Sequence, residues 1–133
     1  MENIKAIEEE LYDAMYVKFG TLGLGTNLHL TISGPWHHWV FESSMATVPE
    51  NSPPKVIEKA KLDRDYHLEL LDYFEKITVE YNKALFIPTM TWSHDGGLIL
   101  LKVDIACFDY KYFRDVKTQV RRDVAKIYSR YYE

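Results

Sequence analysis

A single cysteine, Cys107, leaves no partner for an internal disulfide. It falls on the apolar side of an alternating segment, so the expectation is a buried thiol in a reducing compartment and not a nucleophile. Long apolar runs are also lacking. No stretch approaches the roughly 20 residues that a membrane-spanning helix needs. The amino-terminal MENIKAIEEELYDAM is acidic, without the basic region and apolar block of a signal peptide. These absences together predict a cytoplasmic protein with no membrane association. Catalytic signatures are missing as well: there is no G-x-S-x-G, H-E-x-x-H, Walker or C-x-x-C pattern. A nucleophile would have to be an isolated serine or threonine with no visible base. Glycine is scarce, and four of the six glycines lie between residues 20 and 34. Gly20, Gly23 and Gly25 follow a predicted helix and open a predicted strand, the reverse of a phosphate-cradling loop, so they read as a connection.

What is present is a globular composition. Of the 133 residues, 47% are hydrophobic and 14% aromatic against 27% charged, enough for one domain, 1–133, with its own core. The net charge of −4 is unevenly spread: residues 1–50 carry seven acidic and two basic side chains, and residues 110–133 carry seven basic and three acidic. The overall acidity argues against nucleic acid as a partner. The basic tail, with Arg114, Lys117, Arg121 and Arg122 on its surface, offers a face for an acidic partner or for the chain's own front.

The clearest local structure spans residues 83–107. Two apolar runs flank Ser93-His94-Asp95-Gly96-Gly97, residues suited to a hairpin connection. In the second run Ile99, Leu101, Val103, Ile105 and Cys107 share one face and Leu98, Leu100, Lys102, Asp104 and Ala106 the other, the period of a strand. Earlier, Ile4, Ile7, Leu11, Met15 and Phe19 predict an amphipathic helix over 3–19, ended by Gly20. Residues 27–33 alternate as a strand. After Gly34-Pro35, residues 36–44 read as a returning strand with Trp39 and Phe41 on one face and His38 and Val40 on the other, a short helix over 36–46 being the alternative. Ser52 is placed to cap a helix introduced by Pro53 and Pro54. That helix runs from Lys55 to about Asn82 on a stripe of Val56, Ala60, His67, Leu70, Leu71, Phe74, Ile77 and Tyr81, with a bend or break suggested at Asp63-Arg64-Asp65. Phe113, Val116, Val120, Val124, Ile127 and Tyr131 give a last amphipathic helix over 110–132.

The order helix-strand-strand-helix-strand-strand-helix predicts an α+β fold: a four-stranded antiparallel sheet with helices on one face, built from two similar hairpin-plus-helix units. Leu28, Leu30, Ile32, Trp39, Phe41, Phe86, Met90, Trp92, Ile99, Leu101, Val103 and Ile105 would face the helices. The opposite face would show His29, Thr31, His38, Thr89, Thr91, Lys102 and Asp104 among Val40, Leu85, Ile87, Leu98 and Leu100, a part-apolar surface of the kind that takes a partner. Adjacent strand residues point apart, so His37 and His38 cannot hold one metal together, and Asp63 with His67 supplies too few ligands. No metal and no cofactor is expected. His67, on the apolar stripe, reads as a hydrogen-bonded core histidine.

Two resemblances bear on function. Leu28-His29-Leu30-Thr31-Ile32 resembles the first H-x-T motif of the two-histidine phosphoesterases, and Phe86-Ile87-Pro88-Thr89-Met90-Thr91 their second, with threonine in place of the second histidine. This implies a nucleotide or phosphodiester site on His29, Thr31, Thr89 and Thr91, lacking half of the acid–base pair that such catalysis uses. More widely, residues 67–133 resemble the class I type III secretion chaperones and the related YbjN-like domains: a helix ending in Tyr81-Asn82, a hairpin turning at Asp95-Gly96-Gly97-Leu98, and a final amphipathic helix. The first half departs from that pattern, with two strands where those proteins have three. The resemblance implies a small acidic homodimer that binds another protein without catalysis. The expectation is therefore a non-enzymatic protein-binding domain, chaperone-like or of immunity or inhibitor type, using Trp36 and His38 on the outer sheet face or the grooves beside the last helix; a nucleotide-binding or phosphodiester-cleaving protein is the alternative.

Overall fold

The computed structural model describes residues 10, 13, 37–46, 51–93 and 98–132, without the side chains of 90–93 and 98. Strand β1, His37–Ala46, is followed by helix α1, Pro54–Glu80, strands β2, Ala84–Ser93, and β3, Leu98–Cys107, and helix α2, Tyr110–Tyr132. The fold is α+β. The expected four-stranded sheet with three helices is corrected: the described sheet has three antiparallel strands in the order β1-β3-β2. The expected strand at 27–33 lies outside the described residues. So does the helix at 3–19, apart from Glu10 and Asp13, which are helical.

Strand β3 is central, with a strand paired to each of its edges. Ile99, Leu101, Val103 and Ile105 are buried towards the helices and Ala106 on the reverse, as in a strand flanked on both edges. The predicted hairpin forms, β2 pairing with β3 from Ala84↔Cys107 to Ser93↔Leu98. The other edge of β3 pairs with β1 along its length, from His37↔Cys107 to Ala46↔Leu98. Residues 37–46 are thus a strand and not a helix, paired on one edge with the distant β3. Pro88 sits in β2, which has one strand neighbour among the described residues, where a missing N–H is tolerated.

Helix α1 runs unbroken for 27 residues. Its N-cap is Pro53, the position expected for Ser52, with Pro54 in the first turn. Asp63-Arg64-Asp65 does not break the helix: Asp63 accepts a hydrogen bond from the Tyr132 hydroxyl, and Arg64 reaches Asp65 at 3.1 Å and Glu10 at 3.2 Å. Helix α2 is started by Asp109, whose Oδ1 accepts from the Tyr112 N–H at 2.8 Å. The core gathers Ile57, Ala60, Leu70, Leu71, Phe74 and Ile77 of α1, the inner side of the sheet, and Val116, Val120 and Ile127 of α2. Asp123 ties the two helices together, accepting from Tyr73 at 2.7 Å as well as from Gln119 at 2.9 Å. Cys107 is buried, as expected, and its thiol contacts the Lys83 carbonyl. Among the described residues no helix is long and apolar enough to cross a membrane.

Candidate functional site

The pleat sorts the predicted site residues. His37 faces inward, its ring 5.0 Å from that of Tyr110 and 5.8 Å from that of Phe113, while His38 faces outward. The outward His38 Nε2 lies 2.9 Å from Asp104 Oδ1. Their register explains the contact: His38 is opposite Ala106 and Asp104 opposite Val40, so the two are diagonal neighbours on one face. Thr89 shares that face but lies opposite Lys102, whose carbonyl accepts its hydroxyl at 3.4 Å. Two strand spacings across and four residues along put it roughly 16 Å from His38. The structure therefore does not bring those two together. Thr91 is in β2 opposite Leu100, with its side chain outside the described set; His29, Thr31 and Trp36 also lie outside it.

The outer face is less open than its sequence suggests. Asp104 is 4% exposed and Ala106 fully buried, Val40, Ile87 and Leu100 are half-buried, and among the described side chains of this face Leu85 is the large apolar one left exposed. Two adjoining concavities lie on the opposite side, along β1. One is a cavity of about 760 Å³ between the second half of β1, the first half of α1 and the end of α2, lined by Phe41, Ser43, Met45, Val56, Lys59, Ala60, Asp63, Tyr66, His67, Tyr128 and Tyr132, among others. The other is a groove of about 390 Å³ between β1 and α2, lined by Trp39, Phe41, Tyr66, Arg121, Val124, Ala125 and Tyr128. Phe41, Tyr66 and Tyr128 belong to both, so the two adjoin.

Beside the groove the Lys117 ammonium lies 5.6 Å from the centre of the Trp39 ring, a cation–π contact. The other basic residues predicted on α2 divide. Arg114 lies 3.8 Å from Asp115. Arg121 and Arg122 are exposed and form no ion pair among the described residues.

Inside the cavity the inner face of β1 carries one hydroxyl, Ser43, between Phe41 and Met45. It meets the one imidazole on the α1 stripe: Ser43 Oγ is 2.9 Å from His67 Nε2. The tautomer follows from the other ring nitrogen. His67 Nδ1 lies 2.7 Å from the carbonyl oxygen of Asp63, which can only accept, so Nδ1 carries the proton and Nε2 receives the Ser43 hydroxyl. His67 is 3% exposed. Burial pushes its pKa below the ordinary value, opposed by the Asp63 carbonyl and carboxylate. The Tyr66 phenol, hydrogen-bonded to Ser43, is pushed up by burial and by neighbouring Tyr128. Sequence reading expected a hydrogen-bonded core histidine at 67, which the structure shows, but saw no base for any serine. The overlooked signal was a pair of lone polar residues on two apolar surfaces that pack together, since each must satisfy the other or stay unpaired.

Among the described residues no group of three histidine, cysteine or acidic side chains converges to hold a metal. No family model matches the chain, and no curated protein and no solved structure matches it either.

Proposed function

We propose that this chain is a protein-binding domain of chaperone, immunity or inhibitor kind, acting as a homodimer and working by recognition, not turnover. The observation that carries the reading is the β1–α2 groove. Its walls are aromatic and aliphatic, and its border is cationic through Arg121 and Lys117. Such a surface suits a partner segment with an apolar anchor flanked by carboxylates, since aromatic and arginine side chains dominate the energy of protein interfaces. The likeness of residues 67–133 to the secretion chaperones supports the same reading and the dimer with it. The closed centre of the outer sheet face favours the groove over His38 as the recognition surface.

A photo-crosslinking residue at Ala125, in the groove, tests the reading in cells of the native host. Val79, 80% exposed on α1 and no part of the groove, is the control. A discrete protein adduct at 125 and none at 79 is expected; equal adducts at both positions, or none at either, would overturn it. Light scattering at micromolar concentration tests the dimer, which a strictly monomeric mass would exclude.

A further inference from the structure

We propose that Ser43 is an activated nucleophile that accepts an acyl group from an activated carboxylic ester bound in the 760 Å³ cavity. This goes beyond recognition, and it uses the cavity and not the groove's cationic border. The arrangement has the parts that serine acylation needs: a hydroxyl donating to an imidazole nitrogen at 2.9 Å, and a third group that fixes the imidazole. That third group is the Asp63 carbonyl, 2.7 Å from Nδ1, which holds the ring in the tautomer whose lone pair faces Ser43. Both Ser43 and His67 line the cavity, so an ester can approach the hydroxyl from the open side. Burial keeps His67 unprotonated near neutral pH, and the nearby Asp63 carboxylate favours the imidazolium that forms when it takes the proton.

In the step, Ser43 Oγ bonds to the ester carbonyl carbon as its proton passes to His67 Nε2. The carbon–oxygen bond to the leaving alcohol then breaks, and His67 returns the proton to that alcohol. The products are acyl-Ser43, the free alcohol and neutral His67, with no change in oxidation state. Lys59, an ammonium on the cavity wall, is the positive group available to the carbonyl oxygen as it gains charge. The apolar wall of Phe41, Met45, Val56 and Ala60 fits an aromatic or aliphatic acyl group.

The strand supplies its own control. Ser44 is more exposed than Ser43 and has no imidazole partner among the described residues. Treating the full chain with a fluorophosphonate, and separately with p-nitrophenyl acetate, is expected to add one group at Ser43 and none at Ser44. Ser43→Ala should abolish the adduct. His67→Gln, if folded by circular dichroism, should slow labelling by about a hundredfold, the usual contribution of a general base. Labelling of Ser44 alone or of both serines equally, no labelling, or an unchanged rate in folded His67→Gln would each overturn the proposal. If His67→Gln does not fold, the Ser43 to Ser44 ratio in the unsubstituted chain decides.

Discussion

Ser43 Oγ and His67 Nε2 sit 2.9 Å apart, joining the middle of β1 to the middle of α1 across 24 residues of sequence. Without that hydrogen bond the imidazole would be a buried acceptor facing an apolar sheet. Ser43→Ala leaves Nε2 unpaired and should destabilise the fold by about 1–3 kcal/mol, the cost of a buried unsatisfied group. Urea unfolding would show it as a lower midpoint at unchanged slope, and an unchanged midpoint would mean the contact contributes nothing.

The same imidazole makes stability depend on pH. Its folded pKa lies below its ordinary value because burial disfavours the charge. Between the two values the unfolded chain binds more protons, so the contribution is complete above about pH 6.5 and is lost as pH falls towards the folded value. The urea midpoint should therefore drop as pH is lowered from about 7 to 5, and His67→Gln should flatten that part of the profile. A flat profile in the unsubstituted chain would contradict the assignment.

Phe74 is fully buried between α1 and the sheet, its ring 5.4 Å from that of Phe41. Phe74→Ala should cost about 3–5 kcal/mol, from lost burial and the cavity left behind. Denaturant titration checks it, and a loss below about 1 kcal/mol would show that the core collapses around the gap.

Asp109 caps α2 through the Tyr112 N–H. Asp109→Ala should cost about 1 kcal/mol and Asp109→Asn much less, because the amide oxygen can still accept. Equal losses in both would shift the role from hydrogen bonding to charge.

Much of the fold was readable where one face was uniform. The alternation of 98–107, the inward Trp39 and Phe41, and the stripe of 110–132 each follow from a single period. Strand order was not readable from period alone: Lys102 and Asp104 on its outer face give β3 the pattern of a half-buried strand, and the pairing is what places it between two neighbours. His38 and Asp104 could be assigned to one face from alternation. Their contact needed the register, because 66 residues separate them. The Ser43–His67 pair was missed for a similar reason, since each looked like an isolated exception on its own apolar surface.

The central claim is that the groove beside α2 holds an acidic, apolar-anchored segment of another protein. Calorimetric titration of the protein captured through Ala125 tests it most directly when repeated on Arg121→Glu, a change at the cationic border that removes no core side chain. At least tenfold weaker binding is expected, about 1.4 kcal/mol; an affinity equal to that of the unsubstituted chain would contradict the account.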